Sequence, residues 1–149
     1  MTTATTTRKQ VIDTLRRYLQ HASVPTPLEA AALTTALTTP SARDAALATL
    51  LGHDHIAYRL ASGDRDIPLD WVDQRISHAR ATRAITVLEA LAAGVTHAHY
   101  LEPVRCLQAH LMWCSGRPLA AHTYLAAPAC TSSYASWLRS LIQQGIDPA

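Results

Sequence analysis

Val11, Ile12, Leu15, Tyr18 and Leu19 return at three- and four-residue intervals, which predicts a helix with one apolar stripe from Arg8 to about His21. Ser23-Val24-Pro25 breaks it. Thr26-Pro27-Leu28-Glu29 then opens a second helix: Thr26 caps, Pro27 sits where its missing N–H costs nothing, and Glu29 completes a capping box. Leu28, Ala32, Leu33 and Leu37 are its expected inner face, and Pro40 its stop. Ser41-Ala42-Arg43-Asp44 reads as another start, followed by Ala45, Leu47, Leu50 and Leu51 and closed by Gly52. His53–Leu60 reads as a short helix and Ser62–Asp66 as a polar turn. Leu69, Val72 and Ile76, with Trp71 beside them and Pro68 in the first turn, predict a helix from Asp66 or Ile67. A break is expected around Arg80–Arg83, then a helix over Ala84–Ala93 through Ile85, Leu88 and Leu91, ending at Gly94. Glu102-Pro103 opens a helix to Cys114, Gly116 closes it, and Arg117-Pro118 starts the next, which reaches Ala127. Ser132 or Ser133 caps a last helix through Trp137, Leu138, Leu141 and Ile142, with Gly145 as its end.

No segment alternates apolar and polar residues as a half-buried strand does, and runs of Val, Ile and aromatic residues are absent. The expected fold is therefore all-α: a compact array of about seven to eight short helices with a helix-pair C-terminal unit. Residues 1–7, rich in Thr, are expected to be a disordered tail, and residues 8–149 a single helical domain.

Composition narrows the setting. The 149 residues include 27 Ala, 17 Thr and 12 Arg against one Lys, with no Phe and a formal charge of +2. Ala and Leu favour helix. No apolar stretch approaches the roughly 20 residues of a membrane span, and the N-terminus lacks the apolar core of a secretory signal. Three cysteines, Cys106, Cys114 and Cys130, are an odd number in an ordinary-sized chain. They argue against a disulfide framework and for a cytoplasmic protein.

The stretch Pro103-Val104-Arg105-Cys106-Leu107 to Trp113-Cys114-Ser115-Gly116, then Leu119-Ala120-Ala121, Tyr134-Ala135-Ser136-Trp137-Leu138 and Gly145-Ile146-Asp147-Pro148, resembles the C-terminal half of domain-of-unknown-function family 4192. Arg43-Asp44-Ala45-Ala46-Leu47 is similar to an Arg-Asp segment of the same family. The family's N-terminal half, with its Leu-Gly-Phe motif, has no counterpart here. The resemblance implies a short or truncated relative, of bacterial and mainly actinobacterial origin, and carries over no catalytic residue. The same stretch resembles one tetratricopeptide hairpin, with Gly116 in the turn, Ala121 at the close approach and Tyr124 beside it. Pro128 interrupts the second helix of that unit, and no second copy follows at a 34-residue period.

Candidate chemistry falls into four groups. Cys106, His110 and Cys114, spaced four apart along one helical side, could hold a metal if His122, His97 or His99 closed the set; packing as small buried groups is the plainer explanation. The pairs His53-Asp54-His55 and His97-Ala98-His99 read more simply as polar helix starts. A Cys106 nucleophile would need His110 or His122 as base, and no flanking motif accompanies it. Asp64, Asp66, Asp70 and Asp73 could pair as carboxylates, but capping accounts for Asp66 and Asp70. Arg8, Lys9, Arg16 and Arg17, with Arg75, Arg80 and Arg83, could merge into a nucleic-acid surface. Asn is absent, and Asp13, Asp70 and Asp73 dilute the charge. Trp71, Trp113 and Trp137 are the candidate partner anchors, or else core.

No catalytic residue, metal or cofactor is assigned. The expected function is a non-enzymatic protein-interaction module that uses a helix face against a protein partner or a second copy. Nucleic-acid binding is the first alternative, and a Cys/His metal protein or enzyme the second.

Overall fold

The computed structural model describes residues 3–149, with side chains from Thr7 onward. It is all-helical: α1 (Thr3–His21), α2 (Pro27–Ala36), α3 (Pro40–Leu51), α4 (Asp54–Ala61), α5 (His78–Ala93), α6 (Ala98–Cys114), α7 (Pro118–Leu125) and α8 (Ser133–Gln143), with no strand among the described residues. The α1 stripe buries as its spacing requires: Val11, Ile12, Leu15, Tyr18 and Leu19 are all in the core. Helix α1 nevertheless starts at Thr3, ahead of the stripe. The disordered tail expected over 1–7 is thus helical from Thr3, and residues 1–2 lie outside the described residues.

The capping logic at Thr26 holds. Its hydroxyl accepts the Glu29 N–H at 3.3 Å, and Pro27 takes the first turn of α2. The Glu29 carboxylate also accepts from Tyr18 and Arg17, which ties α2 to α1. The inner face of α2 differs from the expectation. Leu28 is 83% exposed and Ala32 is exposed, while Ala30, Leu33, Thr34 and Leu37 are buried. Two further starts shift. Pro40 is the first residue of α3 rather than the stop of α2, with Thr39 at the cap position in place of Ser41. Ser77 caps α5 through the Arg80 N–H at 3.1 Å, so no break occurs at 80–83.

Helix α6 lies at the centre and packs on α2, α3, α5, α7 and α8. It is buried nearly all round from Val104 to Cys114, which is the signature of a core helix rather than a surface one. It opens at Ala98, so Pro103 falls inside it instead of at its start. Pro103 has no N–H to offer the His99 carbonyl one turn back, and His99 is an exposed residue. The α6–α7 pair turns at Gly116, whose φ of 79° lies in the left-handed region that favours glycine, and Ala121 is fully buried at the approach of the two helices.

Residues 62–77 form no helix. A connection this long without secondary structure is uncommon in a compact domain. Here it is anchored instead of free: the Ile76 N–H bonds the Cys114 carbonyl at 3.0 Å, the Arg75 N–H bonds the Ala149 carbonyl at 3.0 Å, and the Ala149 N–H returns to the Asp73 carbonyl at 2.8 Å. Trp71 is buried, whereas Leu69 is 75% exposed.

Candidate functional site

Three elements converge beside the exposed face of α8. From α6 come His110 and Trp113, from α8 come Tyr134 and Trp137, and from the anchored connection comes the Val72 carbonyl. His110 Nε2 lies 2.6 Å from the Val72 carbonyl oxygen and Nδ1 2.7 Å from the Tyr134 hydroxyl. A carbonyl only accepts, so Nε2 carries the proton and Nδ1 accepts from Tyr134. Burial pushes His110 down to about 4, with the Val72 hydrogen bond and Asp73 opposing and Arg43 reinforcing. It is a neutral strut at neutral pH. Burial likewise raises the Tyr134 phenol well above its ordinary range.

The His110 ring meets Trp113 edge-on at 6.0 Å, Trp137 at 5.7 Å and Tyr134 at 5.8 Å. The Arg43 guanidinium lies 4.6 Å from the Tyr134 ring centre, a cation–π contact from α3. The Trp113 indole N–H donates to the Ile146 carbonyl at 2.9 Å, which pins the chain after α8. Trp137 is the outermost ring and stays 41% exposed. Leu119 on α7, 84% exposed, and Ile146, 43% exposed, are the other large apolar side chains in the open at this end of the chain.

The candidate metal residues part company. Cys106, His110 and Cys114 all point inward, but His122 is exposed on α7. Both His110 ring nitrogens are engaged. Cys114 Sγ lies 3.7 Å from the Val72 carbonyl, and burial pushes its thiol up to about 12. No group of three His, Cys, Asp or Glu able to hold a metal occurs among the described residues. The neighbouring Cys130 thiol, and after it burial, pushes the Cys106 thiol up, while Cys130 Sγ lies 3.7 Å from the Tyr124 carbonyl. Both His-x-His pairs stand at helix starts: His97 Nδ1 accepts the His99 N–H at 3.2 Å, and His53 precedes α4 with its ring against Trp71.

Most of the acidic and basic candidates have partners within the fold. Asp64 accepts from Arg59 at 2.8 Å and from the Asp66 N–H at 2.9 Å, a local turn in place of the helix start expected at Asp66. Asp70 and Asp73 lie on the same helix-free connection, so neither caps a helix as Asp70 was expected to. Arg16 pairs with Asp54 at 3.2 Å, and Arg17 pairs with Glu29. Arg8 donates to the Ala61 carbonyl at 3.0 Å, and Lys9 is half-buried. Arg80 bonds the Leu50 and Thr49 carbonyls at 3.1 and 3.2 Å, and Arg83 the Leu19 carbonyl at 3.3 Å. Of the three tryptophans, Trp71 and Trp113 are core and Trp137 is open.

The residues that sequence reasoning missed are Tyr134 as the partner of His110 and Arg43 as the charge on its ring. Neither carries a local signal, since each meets its partner across a helix–helix packing. Comparison with known proteins finds no matching family model, no matching curated protein and no matching solved structure. No helix among the described residues is long and apolar enough to cross a membrane.

Proposed function

We propose that this chain is a non-enzymatic protein-interaction module that binds a protein partner, or a second copy, through the exposed face of α8. The observation that carries this reading is Trp137: an indole left 41% exposed on an amphipathic helix, while His110 and Trp113 beneath it are buried and Tyr134 is half-buried. Tryptophan is expensive to leave in water and is enriched among residues that dominate interfaces. A rigid bed of His110, Trp113 and Tyr134 holds it in one place, which lowers the entropy lost on binding. A bacterial, cytoplasmic setting and the likeness to family 4192 belong to the same proposal and rest on the residue pattern described first.

Covering the remaining indole surface contributes roughly 2 kcal/mol, about thirty-fold in affinity. A photo-reactive phenylalanine derivative placed at position 137 is expected to give a protein adduct, of a partner or of a second copy. The same group at Gln20, exposed on α1, should give none. Unlabelled protein should compete for the adduct, and Trp137→Ser should compete about thirty-fold less well. Equal labelling at both positions, or equal competition by the two proteins, refutes the reading.

A further inference from the structure

We propose that the groove between α2 and the turn from α5 to α6 binds a short aliphatic carboxylate, its chain laid along α2 and its head held by Thr96, His97 and Tyr100. Two adjoining cavities of about 360 and 380 Å³ make up this groove, and both are lined by Ala31, Thr34, Gly94 and Val95. Each falls within the size range of small-molecule sites, which begins at roughly 300 Å³. The cause is local. Helix α2 and the end of α5 meet through Ala30, Ala31, Ala90 and Ala93, side chains too short to fill the space between two helices. Gly94 adds no side chain, and a Cβ built there would meet nothing within 4 Å. The groove shares no residue with the α8 face that carries Trp137, so the two surfaces are separate.

The two ends of the groove differ in chemistry. The end at Pro25 and Pro27 is apolar, walled by Leu91 and the alanines. The threonines on the α2 wall spend their protons on their own helix: the Thr34 hydroxyl donates to the Ala30 carbonyl at 3.0 Å, and the Thr35 hydroxyl to the Ala31 carbonyl at 2.9 Å. The other end carries free donors. His97 Nδ1 accepts the His99 N–H at 3.2 Å, so the neutral ring holds its proton on Nε2, which meets no acceptor among the described residues. The Thr96 and Tyr100 hydroxyls likewise have no hydrogen-bond partner among the described residues, and all three side chains are exposed. No Asp or Glu lines either cavity. An apolar trough that ends in three unspent donors, with no carboxylate of its own, matches an alkyl chain with an anionic head. An ammonium head would find no counter-charge there, and an alcohol would lack the charge that strengthens such hydrogen bonds.

The test follows backbone amide shifts of the full chain during titration with sodium octanoate, kept below its micelle-forming concentration. The Ala31, Thr34, Gly94 and Val95 amides should shift together and saturate. Hexanoate, two methylenes shorter, should bind roughly four- to tenfold more weakly, because a groove open on one side covers each methylene in part. Octan-1-ol should bind about tenfold more weakly than octanoate. Ala31 is exposed, so Ala31→Leu fills the groove without crowding the core; it should weaken octanoate about tenfold and leave the unfolding midpoint unchanged. His97→Asp keeps an acceptor for the His99 N–H but sets a negative charge at the head site, and should weaken octanoate about tenfold while octanol binds as before. Shifts that fail to saturate, or that spread over the whole chain, overturn the site. Unchanged octanoate affinity in Ala31→Leu overturns its placement. Octanol binding as tightly as octanoate, or octanoate binding His97→Asp as it binds wild type, overturns the carboxylate head.

Discussion

Replacing His110 by Gln should flatten the acid side of the stability profile. The perturbation is chosen to keep the bonds and remove the titration: a Gln amide can donate to the Val72 carbonyl and accept from Tyr134, but binds no proton. In the folded protein His110 resists protonation until about pH 4, because burial disfavours the imidazolium. In the unfolded chain it protonates with the ordinary value near 6.5. Between those two values the unfolded state holds the extra proton, so stability falls as pH drops from 6.5 towards 4 and is level above and below that window. The full span is worth about 3 kcal/mol. Between pH 7 and pH 5 the loss is about 2 kcal/mol, which for a domain of this size lowers Tm by roughly 5 °C.

Other groups act on this axis and must be separated. His53, lowered first by burial and then by Arg80, loses stability in the same direction as pH falls below 6.5. Glu29, held low first by the Tyr18 hydroxyl, and Asp64, held low first by the Asp66 N–H, contribute stability above the ordinary carboxylate range and lose it only as pH falls through that range. Asp44, raised by burial, acts oppositely and also in the carboxylate range. All four remain in His110→Gln. The assay is denaturant unfolding of wild type and variant at pH 7 and pH 5, read as the difference of differences. The variant should lose about 2 kcal/mol less than wild type over that interval. Equal losses in the two proteins refute the reasoning, as does an imidazole carbon resonance of His110 that titrates near 6.5.

Two substitutions at helix ends with positive φ should differ in effect. Ala22 follows α1 with φ of 49°, a left-handed conformation that costs a non-glycine residue about 1 kcal/mol, so Ala22→Gly should raise the unfolding midpoint or leave it level, net of the added chain entropy. Gly52 caps α3 with φ of 95°, and an added Cβ would stand 2.9 Å from the Arg80 guanidinium carbon; Gly52→Ala should destabilise by roughly 1–3 kcal/mol by urea titration, since it also disturbs the Arg80 bonds to Thr49 and Leu50. Thr26→Ala removes the α2 cap and the Glu29 contact, and should cost about 1 kcal/mol in the same titration, with no change in the pH 7 to pH 5 difference.

The helices that could be read from the sequence are those whose evidence is local. The α1 stripe, the Thr26–Glu29 box, the Gly52 and Gly116 turns and the Ser132 cap each specify structure within a few residues of themselves, and each stands as read. The helix expected over 66–76 fails because the backbone groups it would have used are spent elsewhere. The Val72 carbonyl serves His110, and the Ile76 N–H serves the Cys114 carbonyl. A backbone group satisfied by tertiary contacts has no need of a helical partner, and the stripe splits: Leu69 is 75% exposed while Val72 and Ile76 pack half-buried against the core.

The same physics decides the candidate site. Cys106, His110 and Cys114 do share one helical side, as their four-residue spacing requires, but a shared side does not tell a ligand set from a strut. The distinction lies in what each ring nitrogen and sulfur meets across the interface: a phenol and a carbonyl for His110, a thiol for Cys106 and a carbonyl for Cys114. Those partners lie far away along the chain and are brought in by α8 and by the connections on either side of α6. Each is a hydrogen-bonding group of the protein itself. The buried polar side chains here orient the rings, and the surface those rings present, Trp137 outermost, is the face on which the proposed binding rests.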